Sequence, residues 1–319
     1  MHAQPAAIFR LFRSRPLIMS RLKKAILLCA STCALLAAAP MASAHGILGN
    51  RFFPPTLATD DPFAVDELAL PSFSYVKNAG DPANRELDYG FEFDKEIFPR
   101  FALGVSDAFS TIKPDFGKST KGFGNLTLTA KYEVYEEAKS EFIFSVGVEA
   151  DLGGIGTKGF RDSFTTLTPK IYVGKGLGDL PDKFAMLQPF AVTGEFGQSF
   201  PTSAASPNAF SWGFAVEYSL MYLEQHVKDV GLPAPFKEMI PLVEFSMQTT
   251  ENRGVGGLTT GTINPGVLWV TNYYELGVEA NIPVNHDSGA HVGVTAELWI
   301  FIDDIFPQTF GHPLFGERE

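Results

Sequence analysis

Twelve charged side chains recur at alternate positions of otherwise apolar segments: Asp88, Glu92, Lys131, Glu133, Glu149, Lys170, Glu195, Glu217, Glu244, Glu275, Glu279 and Glu297. Ten are carboxylates and two are lysines. Gathered around one space, such a set attracts cations and repels anions, and a low-dielectric wall amplifies the effect. Two lysines do not neutralise ten acids, and a buried unpaired charge is costly. The set therefore favours a hydrated lumen that passes small neutral or cationic solutes. Lys131 and Lys170 read in two ways, as a constriction where a base faces carboxylates or as local neutralisation. The positions rest on period-two counting, so a bulge would move individual sites to the other face.

Hydrolytic chemistry needs a different set, a serine activated by a histidine that a third group orients. Past position 44 the histidines are His45, His226, His286, His291 and His312. Ser288 lies near two of them in sequence, with no shared facing to align them. There is no phosphate loop, zinc knuckle or pair of catalytic carboxylates at fixed spacing. DLGGIGTKG (Asp151–Gly159) follows a strand and leads to no helix, so it reads as an outer loop. Neither an enzyme nor a cofactor is expected. A barrel enzyme acting on membrane lipid is one alternative, and a soluble periplasmic β-protein binding a small ligand is another. A histidine at a mature N-terminus can chelate copper through its amine and ring. No second ligand stands at a suitable spacing from His45, so no metal site is expected.

The elements that must position these residues are strands. In GNLTLTAKYEVYEEAKSEFIFSVGVEAD (Gly124–Asp151), Leu126, Leu128, Ala130, Tyr132 and Val134 alternate with Thr127, Thr129, Lys131 and Glu133. After a charged turn, Phe142, Phe144, Val146 and Val148 alternate with Ser145, Gly147, Glu149 and Asp151. Strict period two marks a strand with two unlike faces. Segments of this kind are also expected at 67–76, 86–94, 101–111, 165–174, 188–196, 210–222, 239–248, 260–270, 273–282 and 291–302. That makes about twelve, each near the ten-residue length of a tilted membrane strand and longer than the usual soluble strand. Connections after strands two, four and ten are short, and those after odd strands are longer and polar. Short turns on one rim and long loops on the other fit an outer-membrane barrel. The connections after strands six and eight break the rule, and LEQHVKDVGLPAPFK (Leu223–Lys237) has room for a short helix. The expected fold is all-β, an antiparallel transmembrane β-barrel of about twelve strands. Its apolar face meets lipid and its polar face lines the lumen.

The ends complete the organisation. Arg21, Lys23 and Lys24 precede an apolar run from Ala25 to Ala39, and Ala42-Ser43-Ala44 is a small-x-small cleavage site. This is a signal peptide over 1–44, with Met19 as the expected true start. Cys29 and Cys33 leave with it, so no disulfide framework is expected. Six of the 25 basic residues leave as well, so 19 remain against 36 acidic residues. Such a negative chain does not suit nucleic acid. Residues 45–65 contain prolines and few strand signals, and are expected to form a periplasmic arm that partly plugs the barrel. The barrel is expected over 66–302 and a periplasmic C-terminal tail over 303–319. The chain does not end on an aromatic residue, which sets it apart from many barrels of this type.

GFGNLTLTAKYEVY (Gly122–Tyr135), GKGLGDLP (Gly174–Pro181) and LQPFAVTGEFG (Leu187–Gly197) resemble a bacterial family of outer-membrane barrels, labelled transporters of the meta-pathway of phenol degradation. The resemblance spans most of the mature chain and rests on strand and turn patterns. It implies a barrel in the bacterial outer membrane that moves small solutes, with membrane lipid as its surroundings. It implies nothing about which solute or which oligomeric state.

Overall fold

A computed structural model describes residues 46–78, 82–254 and 256–316. The expected signal peptide and His45 lie outside the described residues. Twelve long strands form the wall among the described residues: β1 (Glu67–Asn78), β2 (Asn84–Phe98), β3 (Phe101–Pro114), β4 (Leu126–Glu137), β5 (Phe142–Leu152), β6 (Thr166–Gly176), β7 (Phe190–Pro201), β8 (Ala209–Tyr218), β9 (Met239–Thr250), β10 (Thr259–Val270), β11 (Tyr274–Pro283) and β12 (Gly293–Phe301). Each pairs antiparallel with its sequence neighbours, and β12 pairs with β1 to close the ring. Closure removes both sheet edges, so every wall strand has a partner on each side. A short strand, Thr120–Phe123, doubles back on the end of β3.

The two faces separate as period two demands. Tyr89, Leu103, Leu128, Tyr132, Val148, Ile171, Leu276 and Val278 are large, apolar and exposed. The intervening positions are buried or polar: Lys131 and Glu133 beside Tyr132, Tyr172 beside Ile171, Glu275 beside Leu276. A soluble sandwich would bury the first set. Aromatic pairs mark the wall near both rims. Phe190–Tyr218, Trp269–Tyr274 and Tyr135–Phe142 lie toward the short-turn rim, and Phe109–Phe123 and Phe196–Phe210 toward the other.

The interior is not uniform. Toward the short-turn rim it is apolar, with Ala69, Ile240, Leu242, Leu268, Val270, Trp299 and Phe301 in one buried cluster. Residues 46–66 lie against this half of the inner wall. They start with a small hairpin, Ile47–Leu48 paired to Arg51–Phe52. Phe52 and Leu57 join the first cluster, while Leu48, Phe53, Phe63 and Val65 pack with Ile143 and Ala191 in a second. Period two in the wall does not announce this core, because half of it comes from an irregular segment.

The connections after β6 and β8 are long where the others on that rim are short. The first carries a 3-10 turn at Asp182–Leu187. The second carries a helical turn, Leu220–Tyr222, a wider turn at Leu223–Val227 and a 3-10 turn at Phe236–Glu238. β8 stops at Tyr218, four residues before the sequence expectation. Ser219 caps the helical turn by accepting from Tyr222 N at 3.1 Å, and an N-cap of this kind ends the extended run. Both long connections close over residues 46–66, which accounts for their length.

Candidate functional site

Residues 55–61 form the floor of a cavity of about 270 Å³. Its walls carry Glu92 of β2, Glu149 of β5, Lys170 of β6, Glu195 of β7 and Glu297 of β12, with Thr127, Thr129 and Trp299. Five of the twelve sequence-expected positions therefore meet at one cavity, from five strands. Lys170 Nζ sits 2.9 Å from Glu149 and 3.1 Å from Glu195, so one ammonium bridges two acids. Glu297 accepts from Ser72 Oγ at 2.7 Å and from Trp299 Nε1 at 3.1 Å. The two acids flanking Lys170 have a cationic neighbour, whereas the partners of Glu297 are neutral donors. The wall of the cavity thus holds four carboxyl groups and one ammonium, with Asp60 and Asp61 in the floor.

The other positions divide by depth. Asp88 is on β2 toward the long-loop rim, opposite Ser110. Lys131, Glu133, Glu217, Glu244, Glu275 and Glu279 are buried at the level of residues 46–66. Three of these hold that segment. Glu244 accepts from the backbone N–H of Leu57, Ala58 and Thr59, each at 3.0 Å, and from Thr59 Oγ1 at 2.7 Å. Three successive amides pointed at one carboxylate make an anion nest, with the anion supplied by the wall. Lys131 Nζ donates to Asp60 at 2.7 Å and to the Asp61 carbonyl at 2.9 Å. Glu133 accepts from Ala64 N at 2.7 Å. Ser145 Oγ donates to the Pro62 carbonyl.

Arg51 anchors the other end. Its side chain is buried, 3.2 Å from Glu141, and donates to the carbonyls of Pro189 at 2.8 Å and Gln188. The guanidinium carbon lies 4.0 Å from the centre of the Tyr222 ring. Glu141 adopts a left-handed backbone (φ 49°) in the β4–β5 turn, a conformation unusual for a side chain of its kind. Burial, with Glu141 beside it, pushes the Tyr222 hydroxyl up to about 12. At the start of β1, burial raises the Asp66 carboxyl although Lys95 stands 2.7 Å away.

Arg51, Glu141, Tyr222, Asp60 and Trp299 were not among the sequence-expected site residues. For Arg51 a signal existed: it is the one base in a proline-rich segment destined for an acidic, apolar interior. The polar contacts of the candidate hydrolytic serine are with an amide side chain and a backbone N–H. Ser288 Oγ donates to Asn285 at 2.7 Å and accepts from Gly261 N at 2.9 Å, and His226 packs on Tyr222. Among the described residues no group of three or more His, Cys, Asp or Glu is placed to hold a metal ion.

No protein-family model matches the sequence. No curated protein matches it either. The fold is similar to the crystal structure of an outer membrane channel from Pseudomonas putida F1, with a TM-score of 0.52 at 12% identity over 78% of this chain and 99% of the channel. KdgM porin is less similar, with a TM-score of 0.38 at 11% identity over 72% of this chain and 98% of the porin. The β domain of the Bordetella autotransporter BrkA gives 0.43 at 10% identity over 75% of this chain and 99% of that domain. The fold is thus a closed antiparallel β-barrel of twelve strands, similar to that of the outer membrane channel.

Proposed function

We propose that the protein is an outer-membrane channel for small neutral or cationic solutes, occluded on its short-turn side by residues 46–66. The observation that carries this reading is the cavity above that segment, where Glu92, Glu149, Glu195 and Glu297 outnumber Lys170. Its carboxylates draw cations in from the long-loop side. The likeness of the fold to that of the outer membrane channel supports a conducting role. Passage is passive diffusion, and it requires residues 46–66 to shift, because that segment and the two apolar clusters occupy the short-turn half of the bore. The resemblance to transporters of the phenol-degradation meta-pathway fits a small organic solute.

The test is single-channel recording of the refolded mature protein in a planar bilayer under a salt gradient. The reversal potential is expected on the cation-selective side. It is expected to move toward zero in the triple variant Glu149→Gln, Glu195→Gln, Glu297→Gln. Anion selectivity, or a reversal potential that ignores the triple change, overturns the acidic pathway. A folded barrel that stays silent even without residues 46–66 overturns the channel itself.

A further inference from the structure

The C-terminal segment after β12 is pinned to the barrel, yet it shows its largest apolar side chains to the outside. Ile302–Ile305 make one helical turn, and Phe306 N donates back to the Ile302 carbonyl at 2.8 Å. Leu314 N and Phe315 N then donate to the carbonyls of Glu96 and Ile97 at 3.2 and 3.0 Å. Lys95 Nζ fixes the middle, donating to the carbonyls of Phe310 at 2.9 Å and His312 at 2.8 Å. Despite these ties, Phe310 is 71% exposed, Phe315 59%, Leu314 55% and Phe306 50%.

The position of Lys95 says which side of the wall the segment occupies. Asp94 is buried on the inner face, opposite Gly104. Lys95 takes the alternate face, opposite Leu103, which is among the exposed apolar residues of the outer wall. Its ammonium also holds the buried Asp66 carboxylate at 2.7 and 2.8 Å just ahead of β1, so the carbonyls of Phe310 and His312 lie at the rim, reached from the outer face. The Phe315 ring stands 5.4 Å from Phe98, and Phe98 stands 6.4 Å from Phe101, so the segment continues the aromatic row of the wall.

We propose that residues 302–316 are a membrane-interface anchor, with Phe306, Phe310, Leu314 and Phe315 seated at the boundary between headgroups and acyl chains of the periplasmic leaflet. The proposal rests on the reading that the outer wall faces lipid. Aromatic rings favour that boundary, where an apolar body and a polar edge are both accommodated. An ordered apolar patch of this kind on a monomer marks a surface that meets something. Its continuity with the outer wall makes that something lipid. A periplasmic protein is the competing occupant.

The test uses single thiols. Cys29 and Cys33 both precede the expected cleavage site, so mature Phe310→Cys, Phe315→Cys and Val148→Cys each carry one thiol. Each is labelled with the environment-sensitive fluorophore NBD and refolded into phosphatidylethanolamine–phosphatidylglycerol vesicles. The vesicles contain phospholipid with a nitroxide on the upper or the lower part of the acyl chain. Labels at 310 and 315 are expected to emit at shorter wavelength than in detergent-free buffer and to be quenched more by the upper nitroxide. The label at Val148, in the mid-wall, is expected to be quenched more by the lower one. Water-like, unquenched emission at 310 and 315 with quenching retained at 148 overturns the anchor alone. Loss of quenching at 148 as well overturns the lipid-facing wall and the anchor with it.

Discussion

Arg51 and Glu244 carry the attachment of residues 46–66 in different ways. Arg51 is a buried cation with a buried acid, two carbonyls and an aromatic face around it. Removing one member of such a pair leaves a buried charge uncompensated, which typically costs about 3–5 kcal/mol. Arg51→Met is therefore expected to expose residues 46–66 to limited proteolysis in the folded barrel, while Arg85→Met, an exposed pair with Asp115, is not. Glu244 is an acceptor that four donors share. Hydrogen bonds to a charged group contribute more than neutral ones, so Glu244→Ala is expected to weaken the attachment by on the order of 3 kcal/mol. Glu244→Gln keeps one acceptor oxygen and is expected to lose less, read by the same cleavage rate. Counting in twos finds Glu244 but not what it binds, because its partners are backbone amides that no side-chain pattern reveals. Arg51 is invisible to such counting, since the segment it sits in has no period.

At the level of elements, the strands were the legible part. The run at 126–134 and the run at 142–151 became β4 and β5 with the anticipated alternation. A strand with one apolar and one polar face writes its geometry directly into sequence. Boundaries were less exact: Ser219 ends β8 by capping a helical turn, and β12 starts at Gly293 rather than His291. The two overlong connections were visible as exceptions, but their role in holding residues 46–66 was not. The mobility that the channel reading requires of those residues can be tested with a bond. A Cβ built on Gly213 lies 3.5 Å from Thr59 Cβ, within the usual span of a disulfide. The double variant Thr59→Cys, Gly213→Cys is expected to lose conductance when oxidised and regain it on reduction. Equal conductance in both states would show that solutes pass without movement of this segment.

For the whole molecule, closure matters more than any pair of residues. A ring of paired strands with no free edge unfolds with difficulty, so the refolded protein is expected to migrate faster on a gel unheated than boiled. Identical mobility would argue against a closed barrel in solution. The cavity is a property of the whole as well. Its wall acids come from β2, β5, β7 and β12, and Asp60 and Asp61 from the floor, so no single hairpin contains it. The sequence reading placed those acids on one face of each strand. It expected a hydrated lumen with residues 45–65 as an arm partly plugging it; what it did not anticipate is that the inward positions near the short-turn rim are themselves apolar and pack on residues 46–66. Ile240, Leu242, Leu268 and Val270 show why. They occupy the inner face where a lumen-facing residue of an open channel would be polar.

The attachment of residues 46–66 directly ahead of β1 constrains biogenesis. β1 meets β12 across nearly the whole chain, with Glu67 opposite Phe301. Contacts between such distant segments form late, because the loop between them must first be drawn together. Until that seam shuts, the barrel is an open sheet and the leading segment can reach the inward face from the side. Once it shuts, entry is only through the end. The order of assembly therefore decides whether the occupant is enclosed by the closing walls or must be threaded into a finished ring.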